Sequence, residues 1–320
     1  MKTLKKFAHV NAETVDEAVA ILKSGNASAL AGGTDILGAM RFEILPDYPE
    51  ILVNIKTISD MEYIKEESGM LKIGALTRLD DIAKNDVIKT GYAALSEAAR
   101  RTASPHIREM GTIGGNICQM TRCWYFRNPD NRFNCLRKGG KKCYAINGDN
   151  RYHSIFGAVK GCIAVNPGDT APALVALNAG IKTSKRLIDA EKFWSMANPG
   201  ATILDMDEIV TEIQIPKPAK GARSSFIKFA VRSSIDFPVV NCAAMVGKGD
   251  ARICLNAVYN VPWRASDSEE LIRGKSISNK NADAAGAAAV VKARTFPGER
   301  NKWKIQIAKT MVKRALLGCA

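Results

Sequence analysis

The chain has 320 residues, 46% of them apolar, and a formal charge of +14. That length suffices for a substantial core and suggests two domains, or one large one with an appendage. No run approaches the ~18 apolar residues of a membrane helix, and Ala8-His9-Val10-Asn11 stands where a signal peptide needs an apolar stretch, so a cytoplasmic protein is expected. The basic residues are scattered, dense only near Arg137-Lys138-Gly139-Gly140-Lys141-Lys142 and in the last helix, with no nucleic-acid recognition signature. Attraction to an anionic cofactor, substrate or electron carrier suits the charge better.

Thr14-Val15-Asp16-Glu17 reads as a capping box, followed by Val15, Ala18, Val19 and Leu22 at helical spacing and by Gly25 as the stop. A short strand, 27–30, leads into Ala31-Gly32-Gly33-Thr34-Asp35 and a helix start at Ile36 and Leu37. Strand, glycine pair and helix start form an arrangement that can hold phosphate on unpaired N–H groups. It is not the Rossmann pattern, because no Gly-x-Gly-x-x-Gly occupies that turn and no strand–helix alternation follows. Strands over 61–64 and 70–74 flank a Glu-Glu-Ser-Gly turn, and helices are expected over 80–85 and 92–103. Grouped helices and hairpins make the class α+β.

A second glycine pair follows in Gly111-Thr112-Ile113-Gly114-Gly115-Asn116, and Asp169 precedes an apolar helix start at Ala171-Pro172-Ala173-Leu174. Between them lie Cys118, Cys123, Cys135, Cys143 and Cys162, five of eight cysteines. In a cytoplasmic chain such clustering points to metal ligation rather than disulfides. Cys123, Cys135, Cys143 and Cys162 are spaced C-x11-C-x7-C-x18-C, without the close pairs usual in structural zinc sites. Four thiolates are what a cubane iron–sulfur cluster needs. Cys118 and His153 stay open as substitutes for Cys162. Cys118 reads better as a neighbour of the cofactor, Cys242 and Cys254 as core, and Cys319 as a tail thiol.

The pattern restarts after Ile215-Pro216-Lys217-Pro218, which places a domain boundary there: 1–217, with the cysteine insert at about 118–162, and 218–320. Three strands, over 225–231, 239–247 and 251–259, form a meander whose first connection begins at Arg232. Helices are expected over 268–273, 281–293 and 302–317. The small-residue run 284–289 marks a helix that packs closely.

The motifs at Ala31–Asp35, Thr112–Asn116 and Asp169, in that order, resemble the FAD-binding subunit of the xanthine dehydrogenase (molybdenum hydroxylase) family over essentially the whole chain. The cysteine insert is most similar to the β subunit of 4-hydroxybenzoyl-CoA reductase. The resemblance implies a vanillyl-alcohol-oxidase (PCMH) type FAD domain in two subdomains and a smaller α+β C-terminal domain with a three-stranded sheet. It implies that Leu30, Ala31, Gly32, Gly33, Thr34, Asp35, Ile36 and Leu37 wrap the FAD pyrophosphate, and that Thr112, Gly114, Gly115 and Asn116 contact the cofactor from the second turn. Asp169 would take a sugar hydroxyl, Ile209 or Val210 would lie beside the flavin ring, and Lys228 near it. Cys123, Cys135, Cys143 and Cys162 would hold one [4Fe–4S] cluster. The implied partners are a molybdopterin-binding large subunit, a small subunit with two [2Fe–2S] clusters, and ferredoxin or NAD as carrier. Lys138, Lys141 and Lys142 would raise the cluster's potential, dock an acidic carrier, or form a solvated face. The competing class is a zinc- or nucleic-acid-binding protein without flavin. The substrate is not legible in this chain, nor is the direction of electron flow, nor the choice between molybdenum and tungsten.

Overall fold

The computed structural model describes residues 3–196, 201–233 and 235–320. Met1 and Lys2, and Ser234 in the connection beginning at Arg232, lie outside them. In chain order the first unit runs β1 (Ala8–Asn11), α1 (Val15–Lys23), β2 (Ala27–Leu30), α2 (Ile36–Arg41), β3 (Ile51–Asn54), β4 (Ile64–Glu67), β5 (Met70–Gly74), α3 (Leu79–Lys84), α4 (Asp86–Gly91), α5 (Ala93–Arg100), α6 (Pro105–Met110) and α7 (Ile113–Cys118). After the cysteine insert come α8 (Thr170–Ala176), β6 (Gly180–Thr183), β7 (Leu187–Asp189), α9 (Ala190–Phe193) and β8 (Val210–Pro216). The last third holds β9 (Arg223–Phe229), β10 (Val240–Gly247), β11 (Asp250–Asn256), β12 (Trp263–Arg264), α10 (Ser266–Ile272), α11 (Asn279–Ala288) and α12 (Trp303–Leu317).

These strands make three sheets: a parallel β1-β3-β2, an antiparallel β4-β5-β8-β6-β7, and an antiparallel β12-β11-β10-β9. The class is the mixed one expected, with the first two sheets as the two halves of the FAD-type unit. The C-terminal sheet has four strands rather than three. β12 is two residues long, pairing Trp263 with Leu255 and Arg264 with Cys254, too short for any alternation to be read. The hairpin begins at Ile64 rather than Met61, which sits in a single 3₁₀ turn. At α1, Thr14 caps the Glu17 amide as expected, but the Glu17 carboxylate returns to the Glu13 amide, one residue early.

Helix α8 is apolar all round, and every one of its residues is buried. It therefore lies inside the molecule, packed against α5 and α7 on one side and β10 and β11 on the other. The core of the FAD-type unit consequently runs on into Phe226, Ala243 and Cys254 of the C-terminal sheet. A second core lies between that sheet and α10–α12. Gly286 in α11 shows why the small-residue run is needed: a Cβ there would stand 2.5 Å from the Lys309 carbonyl oxygen of α12. The expected close packing is present, although α11 stops at Ala288, short of 293.

Candidate functional site

A cleft of about 730 Å³ opens where β2, α7, the start of α8 and the start of β8 converge. Its lining includes Gly32 to Ile36, Thr112, Gly114 to Asn116, Asp169, Ile209 and Val210. The three motifs, far apart in sequence, thus meet in one place. Its size is that of a cofactor site.

The two glycine turns read alike in sequence but do different work. Among the described residues, the amides of Gly32, Gly33, Thr34, Asp35 and Ile36 have no protein acceptor. Successive free N–H groups in a turn are an anion-binding nest. Gly32 is needed because a Cβ would stand 2.1 Å from the Met110 carbonyl oxygen, and Gly33 because its φ is +72°. In the second turn the four amides from Ile113 to Asn116 are already engaged: Ile113 with the Thr77 carbonyl, Gly114 with Ala75, Gly115 with the Thr112 hydroxyl and Asn116 with the Thr112 carbonyl. The paired glycines there offer a close, bare backbone surface rather than N–H donors.

Leu30 is buried beside Met40 and Leu52, and Leu37 is partly exposed; neither lines the cleft. Lys228 does not line it either. Its ammonium sits 2.7 Å from Asp169 Oδ2 and donates to the Arg101 carbonyl, with a side chain 4% exposed. Asn241 Nδ2 donates to the other Asp169 oxygen at 2.8 Å. Burial pushes the Asp169 carboxyl upward while Lys228 and Asn241 pull against it. The carboxylate is thus held by the C-terminal sheet at the cleft floor. Arg122, absent from the sequence reading, forms part of the wall, its guanidinium 4.5 Å from the Phe237 ring and its Nε without a partner. An orphaned buried donor and a free amide nest both suit an anionic ligand. The connection after Arg232 is more than a plain loop, for Ile235, Asp236 and Phe237 reach the cleft.

Cys123, Cys135, Cys143 and Cys162 line one small cavity together with Phe126, Arg137 and Tyr144. Cys118 is not among them; it lies in the cleft wall, as the sequence reading placed it. His153 stands outside the cavity with Nε2 3.2 Å from Cys123 Sγ. Backbone amides aim at the sulfurs: Tyr125 and Phe126 at Cys123, Arg137 at Cys135, Ile163, Ala145 and Ile146 at Cys143, and Ala164 at Cys162. Arg137 Nε adds a contact of 3.4 Å to Cys162. Burial pushes the Cys123 thiol up to about 12 and raises Cys135 and Cys143, against the pull of these amides. Among the described residues no three His, Cys, Asp or Glu side chains converge closely enough for a single metal ion.

Lys138 departs from the docking and solvated-face readings. It is 4% exposed, and its Nζ donates to the Ile44 and Phe126 carbonyls, so it forms no part of a docking face. Lys141 and Lys142 are exposed. Cys242 and Cys254 are core as expected, but Cys319 is also buried rather than a free tail thiol.

A cleft of this size with a free amide nest, reached by the connection after Arg232, suits an anionic nucleotide cofactor. The pattern described as "FAD binding domain in molybdopterin dehydrogenase" matches residues 5–218, and "CO dehydrogenase flavoprotein C-terminal domain" matches 225–319. The chain belongs to the FAD-binding (medium) subunits of the xanthine dehydrogenase family of molybdenum hydroxylases, and so is part of an oxidoreductase. It is 30% identical over 328 residues to the aldehyde oxidoreductase FAD-binding subunit of Escherichia coli (strain K12), covering 98% of each chain. It is 26% identical to the carbon monoxide dehydrogenase medium chain of Hydrogenophaga pseudoflava, covering 97% of this chain and 96% of that one. The carbon monoxide dehydrogenase structure from the same organism superposes with a TM-score of 0.76 over 99% of this chain and 98% of that one, at 24% identity, a likeness of fold. Family membership displaces the competing expectation of a flavin-free zinc- or nucleic-acid-binding protein. No helix among the described residues is long and apolar enough to cross a membrane.

Proposed function

We propose that this chain is the FAD- and [4Fe–4S]-carrying electron-transfer subunit of a molybdenum (or tungsten) hydroxylase or reductase complex. It relays electrons between ferredoxin or NAD and partner subunits holding two [2Fe–2S] clusters and the molybdopterin. The observation that carries the cluster is the ring of Cys123, Cys135, Cys143 and Cys162 about one cavity, with backbone amides directed at each sulfur. Lys138 supports it. Burial lowers this ammonium, its hydrogen-bond partners are carbonyls, and the groups that pull it back toward the charged form are Cys135 and Cys123. A buried cation needs a counter-charge, and thiolates holding a net-negative cluster supply one.

Bound FAD supplies the exchange between hydride and single-electron chemistry. The chain's residues would divide the work. Gly32 to Ile36 offer amides to the pyrophosphate, and Thr34 a hydroxyl. Thr112, Gly114, Gly115 and Asn116 give a flat approach, and Ile209 or Val210 packs beside the ring and keeps water from it. Asp169, oriented by Lys228 and Asn241, would face a sugar hydroxyl. Arg122 lines the cleft while the adjacent Cys123 lines the sulfur cavity, so one peptide unit separates the two sites. The FAD-type unit is assigned to 1–217, with the cluster loop at about 118–162, and the C-terminal domain to 218–320.

Anaerobically purified complex should contain about eight iron and eight acid-labile sulfide per FAD, four of each beyond those of the two [2Fe–2S] clusters. Cys162→Ser should lose that extra set of about four while retaining flavin. A natural complex holding only about four of each per FAD would overturn the cluster, and one without flavin would overturn the whole reading.

A further inference from the structure

The carboxylate of Asp35 is engaged by the cysteine insert, while its amide is part of the nest. Oδ2 accepts the Met120 amide at 3.0 Å, and Oδ1 lies 3.0 Å from Arg122 and 2.7 Å from Arg127. All three partners belong to the first turn of the cysteine insert. Arg127 then folds that turn on itself, donating from Nε to the Thr121 carbonyl (2.8 Å), from Nη2 to the Met120 carbonyl (3.1 Å) and from its amide to the Cys123 carbonyl (2.8 Å). Arg122 carries the connection onward to Phe237 at the cleft mouth. A single side chain therefore ties the phosphate nest to the segment presenting the first cysteine and to the rim contributed by the C-terminal domain.

The charges make this tie conditional. Arg122 and Arg127 reach the same Asp35 oxygen, so two guanidiniums stand side by side around one carboxylate. Removing the Asp35 charge leaves two largely buried guanidiniums without their shared anion, and the turn from Met120 to Arg127 loses its tie to the nest.

We infer that Asp35 is a positioning residue that couples the two cofactor sites: the ordered 120–127 turn is the form that both seats Cys123 and completes the cleft wall, so occupancy of either site favours the other. This rests on the cluster assignment above. The Asp35 carboxylate is taken up by Met120, Arg122 and Arg127, and coupling between two binding sites is reciprocal.

The test is a binding cycle on the assembled complex. FAD is removed and its Kd measured by fluorescence quenching, in the natural chain and in Cys135→Ser, each with Asp35 and with Asp35→Asn. Asn keeps the volume and an acceptor for the Met120 amide while deleting the charge. With Asp35 present, loss of the cluster should weaken FAD binding ~5-fold or more, the lower end of ordinary site–site coupling. With Asp35→Asn, FAD should bind weakly in both backgrounds with no difference between them, and iron retention should fall when FAD is withheld. Equal FAD Kd with and without the cluster in the natural chain overturns the inference, as does a difference that survives Asp35→Asn. A purely stabilising role would lower the melting temperature and leave the ratio intact. If Asp35→Asn does not fold, Arg127→Gln is read by the same ratio. A natural chain free of iron and sulfide would instead mark failure of the cluster assignment.

Discussion

Glu208, in the cleft wall, has a side chain that is fully buried. It accepts from the Thr183 hydroxyl at 2.6 Å, Arg186 at 3.0 and 2.9 Å, and the Asp205 amide at 3.1 Å. Burial works to raise its carboxyl, but these donors prevail and hold it below the ordinary 4.5. The folded value is thus below the unfolded one, so the ionised group contributes stability above the unfolded pKa, and that contribution is lost as pH falls through the folded value. Glu208→Gln should cost about 1–3 kcal/mol at pH 7. The gap between variant and natural chain should narrow in acid below 4.5. Urea midpoints at pH 7 and at pH 3.5–4 measure this (roughly one unit or less below the unfolded value), and a gap independent of pH would refute it. The same scale shows how unevenly residues were legible. Cys162 and Val210 line the cavity and the cleft to which their motifs pointed. Lys138 read as a solvated charge, because an irregular loop has no period from which burial can be inferred.

At the scale of elements, the long strands and α12 were readable from alternation and helical spacing, whereas β12 was not, being fixed by its neighbour β11 rather than by its own two residues. The two glycine turns make the same point. Their sequences are nearly equivalent, yet the second spends its amides on Thr77, Ala75 and Thr112, a choice made by where the 75–77 segment runs. The α11–α12 contact is a cleaner case, since the small-residue run itself announced it. Gly286→Ala should destabilise the protein by about 1–3 kcal/mol through overpacking against a backbone carbonyl that has little room to move. FAD content should stay unchanged. Thermal melting and flavin absorbance check both halves, and a neutral melting temperature would mean that the helices can separate freely.

Across the whole molecule, the C-terminal domain reaches over the insert. Lys304 of α12 is fully buried and donates to the carbonyls of Tyr152, His153 and Ala257 at 3.0, 2.9 and 2.7 Å. Asn301 donates to the Ser154 carbonyl, and the Ile155 amide bonds to the Val258 carbonyl. Burial pushes the Lys304 ammonium down to about 7, a cost that three acceptors offset. Lys304→Met keeps the bulk but strands those carbonyls. It should cost about 3 kcal/mol or more, and limited proteolysis should then cut the segment around Tyr152 sooner than in the natural chain. An unchanged digest would show that the insert holds itself.

The sequence by itself determined the family, the mixed class, and the residues from which a nucleotide cleft and a ring of four cysteines are made. Each of these follows from local chemistry: glycines where backbone must approach closely, thiols where sulfur is needed, periodicity where a face is buried. Only the tertiary structure decided that the second glycine pair spends its amides within the protein, that Lys138 and Lys304 are interior, and that the Asp35 carboxylate is bound by the insert. Those outcomes depend on which segments, remote in the chain, arrive as neighbours, and a hydrogen-bond partner a hundred residues away leaves no mark on the spacing of the residues that meet it.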